Sequence, residues 1–111
     1  MAKETLQDGK NLVAGWISTR QIPLVADTYY VGMLLEYAAA SDAYQALASG
    51  PLAAIYNGDD GAVLASAGVR DCIVAGEIYE AGLVDASGDA ITVTEDNRAL
   101  YRAEGFYLKE A

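Results

Sequence analysis

Residues 71–83 read Asp-Cys-Ile-Val-Ala-Gly-Glu-Ile-Tyr-Glu-Ala-Gly-Leu, and this stretch is expected to decide the fold. Read as a strand with a period of two, it places Cys72, Val74, Gly76 and Ile78 on one face and residues of mixed polarity on the other. The first face is entirely apolar or small, so we assign Val74, Gly76 and Ile78 to a structural core strand. A glycine inside a strand weakens it, but it also lets another backbone approach closely or a sharp bend form.

The composition is that of one small domain. A chain of 111 residues buries enough surface for one modest core, and 53% of the residues are hydrophobic. Eight tyrosines accompany a single tryptophan and a single phenylalanine. Tyrosine favours half-buried positions, so we expect this domain to use partner surfaces as well as its own core.

The net charge of −9 comes from 16 acidic and 7 basic residues, and it disfavours binding to nucleic acids or anionic membranes. Solubility alone explains such a charge, although it can also steer a basic partner. Cys72 is the only cysteine, which excludes an intrachain disulfide and a cysteine-based zinc site. The first ten residues lack the apolar core of a signal peptide, and no run of about 20 apolar residues occurs, so we expect the protein to be made and kept in the cytoplasm.

Short β segments precede the central stretch. Residues 16–26 predict a strand that is an edge or contains a bulge, because Pro23 lacks a backbone N–H. A bend at residues 27–28 leads to a second strand over 29–37, whose last five residues we expect to be buried. Residues 38–50 fit either a short helix or a broad hairpin. Residues 52–56 predict a short strand, 57–61 a turn, and 62–68 little regular structure.

The C-terminal part predicts a loop over residues 84–89, a short extended piece over 91–93, one helix and a closing strand. Thr92 and Glu95 have capping-box spacing and Thr94 is a competing N-cap, so the helix should begin between the two threonines. We expect Ala99, Leu100 and Ala103 to form the apolar side of the helix. Gly105 should end the helix, and Phe106 and Leu108 should point inward from the last strand. We therefore predict a mainly β, mainly antiparallel domain with one short C-terminal helix, a small mixed β barrel or sandwich-like domain over residues 16–111. An extended, mobile N-terminal arm over residues 1–15 precedes it.

Few residues suggest catalysis or metal binding. The chain has no histidine, which removes the commonest general base near neutral pH. Glu77 and Glu80 remain as a conceivable carboxylate pair, but strand alternation puts them on opposite faces. The acidic spacing over residues 85–96 departs from a calcium loop at two required positions, which favours an ordinary polar loop. We expect no enzyme activity, no cofactor and no metal.

Two interpretations of the tyrosines stay open. All eight could form a patch for stacking on sugars or binding a protein, which would make this chain a small β-rich binding module. Alternatively, they are cross-strand residues that half-cover the core.

The order of several short motifs resembles the head decoration proteins of tailed bacteriophages, the lambda-type capsid-stabilising family. The motifs are Leu24-Val25-Ala26-Asp27 before Val31-Gly32-Met33-Leu34-Leu35; Asp42-Ala43-Tyr44-Gln45-Ala46-Leu47; Leu52-Ala53-Ala54-Ile55-Tyr56; Val74-Ala75-Gly76-Glu77-Ile78-Tyr79 before Gly82-Leu83; and Ala99-Leu100 before Glu104-Gly105-Phe106-Tyr107-Leu108. They span about residues 20–110, and their order is more specific than any single motif.

The resemblance implies a small mixed β domain that forms homotrimers over three-fold and quasi-three-fold positions of an expanded capsid. Its partner is the major capsid protein, against which the N-terminal arm becomes ordered. The expected location is the capsid exterior of the virion, after the host cytoplasm during assembly. The residues assigned to the capsid-binding arm are Thr5, Leu6, Asn11, Leu12, Val13 and Trp16.

Overall fold

The computed structural model describes residues 12–110, which form eight β-strands, one α-helix and a 3-10 turn at Glu80–Gly82. In chain order the elements are β1 (Val13–Leu24), β2 (Asp27–Tyr29), β3 (Leu34–Ala38), β4 (Ala43–Ala46), β5 (Ala54–Tyr56), β6 (Ala62–Leu64), β7 (Gly68–Tyr79), α1 (Glu95–Ala103) and β8 (Phe106–Lys109). The predicted fold class, mainly β with one short C-terminal helix, is confirmed.

Six strands form one mixed sheet in the order β1-β4-β3-β5-β7-β8, and β1 also pairs with β7. This extra pairing closes a ring of five strands, while β8 continues the sheet beside the end of β7. The β1–β4 and β7–β8 pairs are parallel and the others are antiparallel. The remaining strands, β2 and β6, pair with each other in a small second sheet.

The longest pairing joins β1 and β7, and its register explains why Ile78, buried as predicted, does not share a face with Cys72. Cys72 lies in one core cluster, whereas Ile78 shares the second cluster with Ile73. The register shifts where Ser18 opposes Ala75 but Thr19 opposes Ile73, so one residue of β7, Val74, bulges out of the ladder. A bulge of one residue reverses the alternation beyond it. Both faces of β7 therefore contact a core cluster.

Gly76 lies just beyond this bulge, with φ of +144°. A Cβ atom at this position would lie 2.7 Å from Ile17 Cα, closer than side chains tolerate. The predicted close approach of another backbone at Gly76 is therefore confirmed, and the approaching chain is β1.

The N-terminal boundary differs from the prediction. Strand β1 begins at Val13, and Leu12 is only 5% exposed, so residues 12–15 belong to the folded domain and not to the arm. The side chain of Leu12 joins the second core cluster, and burying a leucine there outweighs the freedom of an extended arm. Of the two alternatives for the Pro23 strand, the structure supports an edge position at this residue: Pro23 is in regular register with Val69, and the bulge of β1 lies earlier, between Val13 and Ile17.

Two local predictions in the first half were wrong. The expected bend at residues 27–28 lies in strand β2, and residues 62–64, expected to be irregular, form its partner β6. This pairing between segments 35 residues apart leaves no local sequence signal. The alternatives for residues 38–50 resolve to a hairpin of β3 and β4, closed by a turn in which Asp42 has a positive φ of 50°.

The predicted strand over residues 29–37 is split around Gly32, which has φ of +88°. Of its last five residues, 33–36 are buried as expected, while Tyr37 is exposed.

Helix α1 begins after Thr94, the second of the two predicted caps. The Asn97 N–H donates to Thr94 Oγ1, and the Thr94 N–H donates to Asn97 Oδ1, so the capping box lies two residues later than Thr92 and Glu95. The predicted apolar side of the helix is wrong, because the buried residue is Tyr101. Its ring contributes more apolar area than the small exposed residues Ala99 and Ala103, and exposed Leu100 lies off the buried side.

The end of the domain follows the prediction more closely. Gly105 ends the helix with φ of +98°, and β8 buries Phe106 and half-buries Leu108. Residues 91–93 form no strand; the local pairing is an isolated bridge between Val84 and Ala90.

Candidate interaction surface

The start of β1, the end of β7 and β8 lie side by side at one end of the sheet. Val13 is opposite Ile78, and Glu77 is in register with Tyr107 of β8. The inner side of this end is occupied by buried Ile78 and Phe106 of the second core cluster. The outer side presents Trp16 and Tyr107, both exposed, to solvent.

Trp16 and Tyr107 form an exposed aromatic pair. Their ring centroids are 6.3 Å apart and their planes are inclined by 52°, within the range of favourable aromatic contacts. Trp16 is 52% exposed and Tyr107 41% exposed, although each ring shields part of the other. Aromatic residues are enriched in protein interfaces, where tryptophan and tyrosine act as anchors. The pair therefore has the chemistry of a docking point for another protein.

The backbone beneath Trp16 is held firmly. Between Val13 and Ile17, β1 advances four residues while β7 advances only two, so Trp16 lies in a bulged segment. This segment rests on Gly76, whose missing side chain lets the Trp16 carbonyl oxygen come within 2.6 Å of the Cβ position. The bulge directs an aromatic side chain outward from a strand that is otherwise paired, a common use of bulges.

Opposite charges flank the aromatic pair. Glu77 Oε2 lies 3.9 Å from Lys109 Nζ, and both side chains are partly exposed. The carboxylate of Glu77 also covers Gly15, where a Cβ atom would lie 1.8 Å from Oε1. The charges of Glu77 and Lys109 offset each other beside the aromatic pair.

The residues predicted for the capsid-binding arm separate into three groups. Thr5, Leu6 and Asn11 lie outside the described residues. Leu12 is buried and Val13 packs against the same core cluster, so these two residues are part of the folded domain. Trp16 alone of the described arm residues is largely exposed. The three residues predicted for the core strand, Val74, Gly76 and Ile78, all lie on β7.

Sequence reasoning missed Tyr107 as the partner of Trp16. The alternation around Phe106 and Leu108 indicates that Tyr107 points outward. Its contact with Trp16 depends on the parallel pairing of β7 with β8, and it joins two residues about 90 positions apart, for which the sequence has no signature.

Glu36 was also missed, and it is the one buried charged residue among those the structure describes, at 7% exposed. Its Oε1 accepts hydrogen bonds from the backbone N–H groups of Ala48, Ser49 and Gly50 at 3.0, 3.1 and 2.8 Å, and Oε2 accepts one from Gln45 Nε2 at 2.7 Å. These donors, with the Ala48 N–H first, lower the pKa of Glu36 from 4.5 to about 2. Glu36 is the one acidic residue in the otherwise largely apolar segment 31–37, and this pattern could have indicated a buried carboxylate. Its role is to hold the loop after β4.

The tyrosines are distributed over separate parts of the domain. Tyr29 and Tyr56 pack in the core with ring centroids 5.5 Å apart, and burial raises the pKa of Tyr29 to about 12. Tyr37 and Tyr44 pack edge to face on the β3–β4 hairpin, 5.3 Å apart. Tyr107 pairs instead with Trp16. This arrangement resembles cross-strand packing more closely than one continuous stacking patch.

The two candidate carboxylates have different partners. Glu77 lies beside Lys109, whereas Glu80 begins the 3-10 turn and accepts two hydrogen bonds of 2.8 Å from Arg98. These bonds lower the pKa of Glu80. In the polar loop, Asp85 Oδ1 accepts the N–H groups of Ser87 and Asp89, as in an ordinary turn.

Burial raises the pKa of the Cys72 thiol to about 12. Across residues 12–110, no three histidine, cysteine or acidic side chains are grouped as they would be to hold a metal ion. The described part of the chain also contains no helix that combines the length and the apolar character needed to cross a membrane.

Comparison with protein-family models, curated proteins and solved structures finds no match. Function is therefore inferred from the order of motifs along the chain and from the surface that carries Trp16 and Tyr107.

Proposed function

We propose that this protein is a structural virion protein, a decoration or cement protein of a tailed-phage head. It binds the expanded lattice of the major capsid protein as a homotrimer and stabilises the head from outside. The observation that carries the proposal is the exposed Trp16–Tyr107 pair, in which Trp16 lies four residues after the buried Leu12. The family resemblance in motif order and the mainly β fold support it.

The aromatic pair and the N-terminal residues act together in this proposal. Leu12, whose side chain is buried, lies at the same end of the sheet as Trp16. A partner that covers Trp16 therefore lies close to the position at which residues 1–11 join the described chain. Burying an aromatic anchor at an interface typically contributes about 2 kcal/mol or more to binding.

Trimer formation multiplies this modest contact. Three linked copies engage three neighbouring sites on the lattice, and the second and third contacts form at high effective concentration. A ligand that binds only one state of its partner stabilises that state by RT ln(1 + L/Kd), where L is the free ligand concentration. Preference for the expanded lattice would therefore lock the mature head.

Co-sedimentation with capsids tests the proposal. Purified protein should sediment with expanded capsids of its own phage and not with unexpanded ones, and analytical ultracentrifugation of the free protein should give three times the chain mass. Equal binding to both capsid forms would overturn the maturation-linked mechanism. Glycan binding by a monomer that ignores capsids would instead support a small β-rich binding module.

Two variants test the surface. Deletion of residues 2–11, which leaves the whole described domain in place, and Trp16→Ala should each weaken capsid attachment by about tenfold or more, equivalent to about 1.4 kcal/mol. Val63→Ala is a matched control, because Val63 is an exposed apolar residue on β6, in the other sheet. Wild-type attachment by the Trp16 variant would show that the aromatic pair is not the docking point.

A further inference from the structure

Strand β1 pairs with β7 along one edge, apart from the bulged residues 14–16, and its other edge is largely open within the described residues. On the first side it pairs with β7 from Val13 to Leu24. On the other side its sole strand partner within residues 12–110 is β4, at the single pair Leu24 and Tyr44. The edge before Leu24 therefore has no neighbouring strand in the described part of the chain.

Hydrogen bonds of β7 show which backbone groups of β1 point toward the open edge. The Asp71 carbonyl accepts the Asn57 N–H at 3.3 Å, so it points away from β1. The Gly76 N–H also points away from β1, because it donates to the Gly105 carbonyl at 3.0 Å. In an antiparallel ladder, two opposed residues either exchange both hydrogen bonds or turn both sets of groups outward. The partners of Asp71 and Gly76, which are Gln21 and Ile17, therefore turn their N–H and C=O groups away from β7.

Two residues farther along β1 agree with this orientation. Pro23, two positions after Gln21, has no N–H to donate and is tolerated where the ladder needs none. The Val25 N–H, two positions later again, donates to the Tyr44 carbonyl at 3.0 Å, on the side away from β7. The same alternation assigns Thr19, between Ile17 and Gln21, to the open edge.

The open edge thus presents three N–H and three C=O groups, from Ile17, Thr19 and Gln21, over about 13 Å. Side chains from Ser18 to Gln21 are exposed on both faces of the strand, so solvent reaches this backbone. No described backbone or side-chain group donates to or accepts from these six groups outside the strand ladder. Exposed edges are ordinarily protected by charges, proline, a bulge or a covering loop. The bulged segment at Trp16 and Pro23 bound this edge on its two sides, and between them the one charged residue is Arg20.

We propose that the open edge of β1 from Ile17 to Gln21 accepts an extended segment of the capsid subunit as an added β-strand. This inference rests on the proposed function and adds the mode of attachment. Alternating donors and acceptors at strand spacing select an extended polypeptide. Arg20 favours a segment that carries a carboxylate, and Trp16 supplies an apolar anchor at one end of the edge. A second copy of this chain pairing along β1 would form a two-fold dimer, whereas the proposed assembly is three-fold.

Hydrogen exchange tests the proposal on the intact protein. Peptide-resolved exchange is measured on the free chain and on the chain attached to expanded capsids. Amides of the segment 17–22 that face the open edge should exchange at least tenfold more slowly on the capsid, while the exposed turn 57–61 should be unchanged. Attachment without slower exchange in 17–22 would overturn strand addition and leave the proposed function standing. Failure to attach at all would overturn both.

A proline substitution separates strand addition from simple covering. Gln21→Pro removes an outward N–H but keeps the ladder with β7, as Pro23 already does, and should weaken attachment at least tenfold. Gln21→Ala keeps the N–H and should attach like wild type. Far-ultraviolet circular dichroism and urea unfolding establish that each variant folds; should the proline variant unfold, the exchange measurement decides alone. Wild-type attachment by a folded Gln21→Pro variant would contradict the proposal.

Discussion

A Cβ atom built on Gly76 would lie 2.6 Å from the Trp16 carbonyl oxygen, so strands β1 and β7 meet at a point that has no room for a side chain. The φ of +144° at Gly76 is also one that other residues rarely adopt. The position of the exposed tryptophan thus depends on a buried glycine of another strand.

Gly76→Ala should therefore destabilise the domain by about 3 kcal/mol, combining backbone strain with steric overlap. Urea unfolding monitored by tryptophan fluorescence measures this change, and it also reports any altered environment of Trp16. Gly61→Ala is the matched control, because Gly61 has φ of +74° but no atom within 4 Å of its Cβ position. The control should lose only about 1 kcal/mol. Equal losses in both variants would mean that the contact with Trp16 contributes nothing.

Glu36→Gln should reduce stability at pH 7 by about 2 kcal/mol, since the amide can still accept the three backbone N–H groups but lacks the negative charge. Its Nε2 also replaces the oxygen that faces Gln45 Nε2, placing two donors together. Chemical denaturation at neutral pH measures the difference from wild type. Glu104→Gln, at an exposed position, is expected to lie within about 0.5 kcal/mol of wild type.

The pH dependence of the same pair of proteins gives an independent test. The folded pKa of Glu36, about 2, lies below its ordinary value of 4.5, so the unfolded chain binds this proton more readily. The contribution of Glu36 is therefore complete above about pH 4.5 and is lost as the pH falls toward 2. The stability difference between wild type and Glu36→Gln should shrink over that interval. A difference that stays constant from pH 7 to pH 2.5 would show that Glu36 keeps its ordinary pKa in the folded domain.

Cys72 should not react with thiol reagents while the domain is folded. Its side chain is fully buried and its pKa is raised to about 12, so almost no accessible thiolate exists at pH 8. Labelling with an aromatic disulfide reagent should be at least about a thousandfold slower than in urea-unfolded protein, because it requires opening of the core. Labelling of the native protein at the unfolded rate is the result that would count against this burial.

Arg98→Lys should cost about 1 kcal/mol, because lysine cannot reproduce the two parallel hydrogen bonds to Glu80. Arg98 also contacts Glu95 within α1, so it connects the helix to the 3-10 turn. Thermal unfolding at low and high salt measures the loss, which should be smaller at high salt. Arg102→Lys, at an exposed position of the same helix, should leave the midpoint nearly unchanged.

The sequence was most informative where local chemistry acts alone. Glycine at position 76 predicted a close backbone approach, Gly105 a helix end, and the alternation of Phe106 with Leu108 the inward face of the last strand. These features depend on one residue or its nearest neighbours. The fold class followed because many such signals agree.

Features that depend on distant pairing were not predictable. The bulge at Val74 reverses the faces of β7, and it exists because of the register with β1, about 55 residues earlier. The pairing of β2 with β6 and the contact of Trp16 with Tyr107 are likewise set by tertiary structure. Within the candidate surface, sequence reasoning identified Trp16 but placed Leu12 and Val13 in the arm. An apolar residue type alone does not show whether the side chain is buried in its own domain or against a partner.

The pairing of β1 with β7 and of β7 with β8 also constrains how the chain folds during synthesis. β1 is made early, yet its long partner follows more than forty residues later, and β8 adds to that partner only after α1 has been made. Closing such long loops is entropically costly, and non-local pairing of this kind slows folding. Until β7 leaves the ribosome, the edge of β1 that later pairs with β7 also has no partner. We therefore expect the domain to reach its native sheet only after translation has passed Lys109, with the nascent strand depending on chaperones or on its own solubility until then.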